Sequence, residues 1–318
     1  MPNIGRLSIG MALFCGTCLA QAPKTSHLVV AFTPGGPVDF VARLIAEPLG
    51  RELGQTVVVD NRPGANGNIG AEFVAKAVPD GTVMFLTSVG AVAVSPALYA
   101  SLPYDAARDF APVSTVVNNS TVFVVNASNP ANSAAEFVAD TLKSAQPVPF
   151  ASSGSGSIPH LTLELFQSVS GAKVLHIPYK GAAPAIADVL AGRVGGFMGD
   201  LPGFIGQVKG GKLKAIAVAA PKRHGLLPQV RTFAEQAMPQ VESNNWYGIL
   251  LPARTPRAIV DAVNRAVRSA IANDTVRTRL LESGAEPAAS SPEEFAGIIR
   301  ADLAKWSRII REKNITAD

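Results

Sequence analysis

Short apolar runs alternate along the chain with longer segments whose apolar residues recur at helical spacing. The run at residues 27–32 predicts a buried strand, and the proline- and glycine-rich residues 33–37 predict a turn after it. Residues 38–53 carry apolar side chains on one helical face, with Asp39 as a candidate N-cap and Pro48 as an expected kink. Strand, turn and helix in this order are typical of a parallel α/β sheet.

The same alternation continues to the C-terminus. Further strands are predicted at residues 56–59, 83–87, 121–125, 148–151, 174–177, 213–219 and 246–251. Helices are predicted at residues 69–77, 133–144, 161–169, 184–191, 256–271 and 292–313. The fold class is therefore α/β, with crossover helices between parallel strands.

Two segments are expected to cross between two α/β units. Residues 112–126 and 243–252 combine β-branched or aromatic residues with flanking turn residues. If the C-terminal helices pack back on the first unit, the chain crosses twice and the units can hinge around a cleft. The predicted division is one domain of residues 23–124 and 249–318 and a second domain of residues 125–248.

The N-terminus has the pattern of an export signal. Arg6 precedes an uncharged apolar stretch that ends in small residues, which predicts a signal peptide over residues 1–22, cut after Ala20 or Ala22. An uncleaved anchor is the alternative, which the short apolar stretch disfavours. Both cysteines, Cys15 and Cys18, lie in this segment, so the exported chain is predicted to have neither a disulfide nor a cysteine-ligated metal.

Composition narrows the classes of function. Hydrophobic residues make up 47% of the 318 positions, which excludes a wholly disordered chain. The formal net charge is only +4, and no run of Lys or Arg resembles a nucleic-acid-binding arm, so no nucleic acid partner is expected. After the N-terminus no segment holds 18 uncharged apolar residues, which excludes a polytopic membrane protein.

Two loops place hydroxyl groups or bare backbone where a strand enters a helix. Glycine lets a ligand approach the backbone, and N–H groups at a helix start attract anions. Gly154 and Gly156 resemble the start of a dinucleotide-binding fingerprint, but Pro159 replaces its third glycine, so a carboxylate cradle fits better. A plain turn and a flexible linker are the alternatives for the two loops. The candidate residues in the first loop are Phe32, Thr33, Pro34, Gly35 and Gly36, and those in the second are Ser152, Ser153, Gly154, Ser155, Gly156, Ser157 and His160.

The sequence offers little for catalysis or metal binding. It contains no nucleophile-elbow or P-loop motif, and none of its four histidines stands three or four residues from another. His160 is a candidate ligand donor or a structural residue at a helix start. Asp200 follows a glycine-rich strand at the end where open α/β sheets bind ligands, and its alternative role is an N-cap. We expect no enzyme activity, no cofactor and no metal.

Five motifs in order carry a resemblance to a known family. They are residues 32–36, 61–70, 79–81, 176–181 and 246–252, which read FTPGG, NRPGANGNIG, PDG, HIPYKG and WYGILLP. Together they resemble the tripartite tricarboxylate transporter substrate-binding family, also called the Bug family. The resemblance implies a periplasmic two-domain receptor with the Venus flytrap fold. Such a receptor closes on a small carboxylate or related polar metabolite and delivers it to a large and a small membrane subunit.

The resemblance assigns both glycine-rich loops to the ligand, with Asp39 behind the first and Ser88 in a further wall. The chain also departs from the family pattern. Glycine stands at positions 195 and 199, where the family commonly has an acidic residue, and Asn66 replaces a usual glycine. We expect the missing side chains to widen the cleft. The charge of Asp200 would then favour a monocarboxylate or a zwitterion over a small polycarboxylate, unless Lys180 or Arg62 compensates.

The sequence as a whole indicates a monomeric binding receptor. Two alternatives stay open: a sensor that docks on a membrane kinase, and a secreted α/β enzyme that uses Ser153 or Ser155 as its nucleophile.

Overall fold

The computed structural model describes residues 24–316, in which strands and helices alternate as the pattern indicates. The strands are β1 (Thr25–Val30), β2 (Thr56–Asn61), β3 (Val83–Ser88), β4 (Phe110–Asn126), β5 (Val148–Ser152), β6 (Val174–Pro178), β7 (Gly196–Asp200), β8 (Leu213–Val218), β9 (Asn244–Pro252) and β10 (Ala285–Pro287). The α-helices are α1 (Pro37–Leu53), α2 (Asn68–Ala75), α3 (Ser95–Leu98), α4 (Ala134–Lys143), α5 (Ile158–Ser170), α6 (Ala182–Leu190), α7 (Ile205–Lys209), α8 (Arg257–Ala272), α9 (Asp274–Ser283) and α10 (Pro292–Glu312).

The strands join in the order β2-β1-β3-β9-β4-β7-β5-β6, with β8 and β10 also paired to β4. In one half, β1 lies parallel between β2 and β3. In the other half, β5 lies parallel between β6 and β7. The α/β class and the two-part architecture predicted from the sequence are confirmed.

The two halves share the long strand β4. Its first part pairs with β9, and its last residues pair with β7 and β8. The chain returns from the second half where the Ser243 N–H donates to the Ala219 carbonyl, directly before β9. Helices α8 and α10 pack into the apolar core of the first half. Strand β4 therefore crosses between the halves as expected, whereas β9 pairs, within the described chain, only with β3 and the first part of β4; the domain division stays a prediction.

The helix starts differ from the expected ones. Asp39 is not an N-cap, which corrects the prediction: Gly36 holds that position in an extended conformation, with φ −80° and ψ 171°. The helix α1 then runs through Pro48 to Leu53. Helix α5 begins at Ile158, earlier than expected, because Ser157 caps it and a proline is tolerated in a first helical turn.

None of the helices within residues 24–316 is long and apolar enough to cross a membrane. The expected signal peptide and both cysteines lie outside the described residues.

An aromatic cluster lies at the centre of the core of the second half. The Phe123 ring is fully buried. It meets the rings of Phe137, Phe150 and Phe166 edge-on, at centroid distances of 4.9, 5.2 and 5.5 Å. Such pairs add to the free energy gained by burying the rings. Since Phe123 belongs to β4, this cluster fixes the shared strand in the second half.

We expect Phe123→Ala to lower the free energy of unfolding by about 3–5 kcal/mol, because it leaves a cavity among packed rings. Urea unfolding followed by circular dichroism measures the change. Leu142→Ala, at a side chain that is 48% exposed, is the control and should shift the midpoint little. Equal midpoints for the two variants would contradict the central role of the cluster.

Candidate functional site: a cavity between two glycine-rich loops

The loop between β1 and α1 is held by the Asp39 carboxylate. Its Oδ2 accepts hydrogen bonds from the Gly35 N–H at 2.9 Å and from Arg43 Nε at 2.8 Å, and its Oδ1 accepts from Asn61 Nδ2 at 2.9 Å. Burial acts to raise the pKa of Asp39, but these hydrogen bonds outweigh it and hold the pKa below its usual value. Asp39 therefore fixes the loop from behind.

The loop between β5 and α5 is also held by its own side chains. The Gly154 N–H donates to Ser152 Oγ, and the Gly156 N–H donates to His160 Nδ1, both at 3.1 Å. Ser157 Oγ accepts from the His160 N–H at 3.3 Å and caps the helix. These bonds leave Ser153 and Ser155, which are partly exposed, at the surface of the loop.

The two loops face each other across an inner cavity of about 20 Å³. Room of this size holds about one water molecule. Loops and strand ends from both halves form its wall. Six predicted site residues line it, namely Phe32, Gly36, Ser88, Ser153, Ser157 and Asp200; the other lining residues include Pro37, Val38, Ile158, Pro159, Ala182, Phe197 and Asn245.

An outer cavity of about 310 Å³ lies next to the inner one, and Phe32 and Ser153 line both. Hydrogen bonds join the two halves beside it. Asn66 Nδ2 donates to the Gly156 carbonyl at 2.8 Å, and the Tyr99 hydroxyl donates to the Ser155 carbonyl at 3.2 Å. The structure is thus a closed arrangement of the cleft.

A buried polar junction forms the floor of the inner cavity. Asp200 Oδ2 accepts hydrogen bonds from Asn245 Nδ2 at 2.8 Å and from the Tyr247 hydroxyl at 2.5 Å. Burial raises the pKa of Asp200 to about 7, although both hydrogen bonds oppose the shift. Asp200 precedes a short 3₁₀ turn, but its side chain does not cap it, so the alternative role of N-cap is wrong.

Several buried oxygens around the cleft have no hydrogen-bond partner within residues 24–316. Such groups are rare in folded proteins because an unpaired buried acceptor costs about 1–3 kcal/mol. They are Thr33 Oγ1, Asn66 Oδ1, Thr87 Oγ1, Asn119 Oδ1, Thr121 Oγ1, Asp200 Oδ1 and Asn245 Oδ1.

The remaining predicted site residues lie next to the cavities or behind them. Gly154 and Ser155 line the outer cavity. Those that line neither cavity are Thr33, Pro34, Gly35, Asp39, Ser152, Gly156 and His160. The N–H groups of Gly35 and Gly36 are engaged inside their own loop, with Asp39 and with the Thr33 carbonyl. The expected cradle of free N–H groups at these two glycines is therefore not present.

The glycines at positions 195 and 199, where the family commonly has an acidic residue, do not widen the cleft, which corrects the prediction. A Cβ at Gly195 would lie 2.3 Å from Val148 Cγ1, and one at Gly199 would lie 3.1 Å from the Phe197 and Phe204 rings. Both glycines make room for core side chains. Lys180 lines the outer cavity, whereas Arg62 pairs with Asp60 at 2.9 Å and lines neither cavity.

Asn245 and Tyr99 are site residues that the sequence reasoning missed. Asn245 is 4% exposed. Its signal in the sequence is an amide side chain at the start of an otherwise apolar strand. Amide side chains are seldom buried in such a position. Tyr99 carries no local signal. Within residues 24–316, no group of three or more His, Cys, Asp or Glu side chains could hold a metal ion.

Because ionising the buried Asp200 is costly, we expect the free energy of unfolding to depend on pH. Because its folded pKa is raised, the stability that it contributes is fully present below about pH 4 and is lost as the pH rises through about 7. Asp200→Asn should remove this loss, so the variant gains up to about 4 kcal/mol on the wild type between those limits. Urea unfolding over this pH range measures it, with the exposed Asp140→Asn as control. Parallel pH profiles for the wild type and Asp200→Asn would contradict the assignment.

Comparison with known proteins gives a consistent picture. BugT of Bordetella pertussis is 33% identical over 319 residues, covering 98% of each chain. The structure of Rpa4515 of R. palustris with adipate is 33% identical with a TM-score of 0.89, covering 93% of this chain and 99% of that one. MatC of Rhodopseudomonas palustris with bound malate is 29% identical with a TM-score of 0.86, covering 90% and 99%. The sequence profile of the tripartite tricarboxylate transporter family receptors matches residues 41–315, and the chain belongs to this family.

Proposed function

We propose that the protein is a periplasmic solute-binding receptor for a small carboxylate that also carries a hydroxyl or ammonium donor. The observation that carries this proposal is the inner cavity, which lies between loops of both halves and is lined by hydroxyls beside unpaired acceptors. The related structures with adipate and malate support a carboxylate ligand.

The carboxylate end is assigned to the serine side. Ser88, Ser153 and Ser157 bring hydroxyl groups to the inner cavity from both halves. A hydroxyl can donate to a carboxylate without attacking it. Lys180 at the outer cavity adds a positive charge that draws an anion toward the cleft.

The donor end is assigned to Asp200 and Asn245. Both residues line the inner cavity, and Oδ1 of each has no partner within the described chain. A ligand hydroxyl or ammonium would satisfy these acceptors. Because the pKa of Asp200 is raised to about 7, a proton can neutralise it, and a second ligand carboxylate is then not repelled. The site accordingly accepts hydroxy- or amino-substituted mono- and dicarboxylates.

Binding requires the cleft to open and close. The inner cavity of about 20 Å³ is too small for such a ligand in this conformation. Opening breaks the two hydrogen bonds that Asn66 and Tyr99 make across the cleft. We infer a hinge at the shared strand β4 and the start of β9, between domains divided as the sequence predicts.

No chemical step is assigned to the serines. Ser152, which lies 2.6 Å from His176 Nε2, is fully buried and cannot reach a substrate. Ser153 and Ser155 are proposed to bind the ligand. We propose that the chain is exported by its signal peptide, acts as a monomer, and delivers its ligand to the large and small membrane subunits of a tripartite transporter.

The test uses pairs of acids that differ only in the donor group: succinate and malate, propionate and lactate. We expect the hydroxy acid of a bound pair to bind about 2- to 10-fold more tightly, since a neutral hydrogen bond contributes about 0.5–1.5 kcal/mol. Isothermal titration calorimetry measures both affinities. Asp200→Ala should remove the preference, whereas the exposed Asp140→Ala should keep it.

Two results would count against the proposal. Tighter binding of the unsubstituted acid would mean that Asp200 does not accept a hydrogen bond from a donor group of the ligand. No binding of any of these acids, alanine or aspartate would remove the carboxylate assignment itself.

A further inference from the structure

Two stacked histidine rings lie directly beneath the serine- and glycine-rich loop 152–157. His160 comes from α5 and His176 from β6, and their ring centroids are 4.0 Å apart with the planes 14° from parallel. Neither ring lines the inner or the outer cavity. Both rings are hydrogen-bonded to groups of the loop, so we take the loop, and not the ligand, as what they act on.

His160 holds the loop through an unprotonated ring nitrogen. Its Nδ1 accepts a hydrogen bond from the Gly156 N–H at 3.1 Å, so the ring proton must sit on Nε2. Nε2 faces Glu164 Oε1 at 3.5 Å, which suits that tautomer. With only 3% of His160 exposed, no water would replace the bond if it were lost.

His176 reaches the same loop through one hydroxyl. Its Nε2 lies 2.6 Å from Ser152 Oγ, and Ser152 Oγ accepts the Gly154 N–H at 3.1 Å. The two glycines that are held in this way have φ of +130° and +79°, conformations that only glycine adopts easily. A glycine-rich segment loses much backbone freedom on ordering, so it needs such anchors.

We propose that His160 and His176 are positioning residues that fix the backbone at Gly154 and Gly156 so that Ser153 and Ser155 face the ligand. This inference rests on the proposed carboxylate site. The histidines do not touch the ligand. They raise the affinity of the protein for its ligand, because a loop that is already ordered loses less entropy on binding.

The test separates the ring nitrogen from the ring itself. His160→Phe keeps an aromatic ring for stacking and removes the acceptor, whereas His160→Asn keeps an acceptor near the position of Nδ1 and removes the ring. We expect the Phe variant to bind malate about 10- to 100-fold more weakly, because a buried N–H is left unpaired, and the Asn variant to stay within about threefold of the wild type. His27→Phe, at an exposed position on β1, is the matched control and should bind as the wild type does.

Amide hydrogen exchange of the ligand-free protein gives a second readout. The Gly156 amide should lose protection in His160→Phe and keep it in His160→Asn, and the Gly154 amide should respond in the same way to His176→Phe and His176→Gln. If the wild type binds no carboxylate, the proposed function fails, and exchange still decides whether the histidines hold the loop. If a Phe variant does not fold, protection in the corresponding Asn or Gln variant decides.

The inference is overturned if His160→Phe binds malate and protects Gly156 as the wild type does. It is also overturned if His160→Asn loses as much affinity and protection as His160→Phe, because packing and not the acceptor nitrogen would then be responsible.

Discussion

The hydrogen-bond ladder of β4 holds both halves of the molecule together. Residues 110–120 of this strand pair with β9, and residues 121–126 pair with β7 and β8. Because the partners change at this point, the end of β7 lies beside the start of β9, and Asp200 meets Asn245 and Tyr247. The same strand carries Phe123 into the core of the second half. The polar junction at Asp200 and the proposed hinge both depend on this one shared strand.

The elements and both glycine-rich loops could be predicted because their signals are local. An apolar run followed by proline and glycine marks a strand that ends in a turn, whatever lies elsewhere in the chain. The role of Asp39 could not be predicted in this way. A cap residue type near a helix start says nothing about Asn61, which lies 22 positions away in sequence and bonds the same carboxylate. The resulting error concerned what Asp39 does, while its place beside the loop was right.

A sequence also does not show which way a side chain would point if it replaced a glycine. Gly195 and Gly199 were expected to open space toward a ligand, but their Cα atoms face Val148 and the rings of Phe197 and Phe204. Asn245 joined the site only through strand pairing with residues far away in sequence. A polar residue within an apolar strand is the most useful sequence signal of such a polar junction. Its side chain needs a hydrogen-bond partner there, because burying it without one is costly.

The closed cleft divides its polar groups into two sets. The N–H groups of Gly35, Gly154 and Gly156 donate to side chains of their own loops, so they add rigidity to these loops. At the cavity floor, by contrast, Oδ1 of Asp200 and Oδ1 of Asn245 have no hydrogen-bond partner within residues 24–316. The two side-chain hydrogen bonds across the cleft are each worth about 1 kcal/mol net, and Ile158 and Leu161 of α5 also pack into the apolar core of the first half. Loops that are already held by their own side chains favour ligand binding, because little free energy is lost to ordering them when a ligand binds.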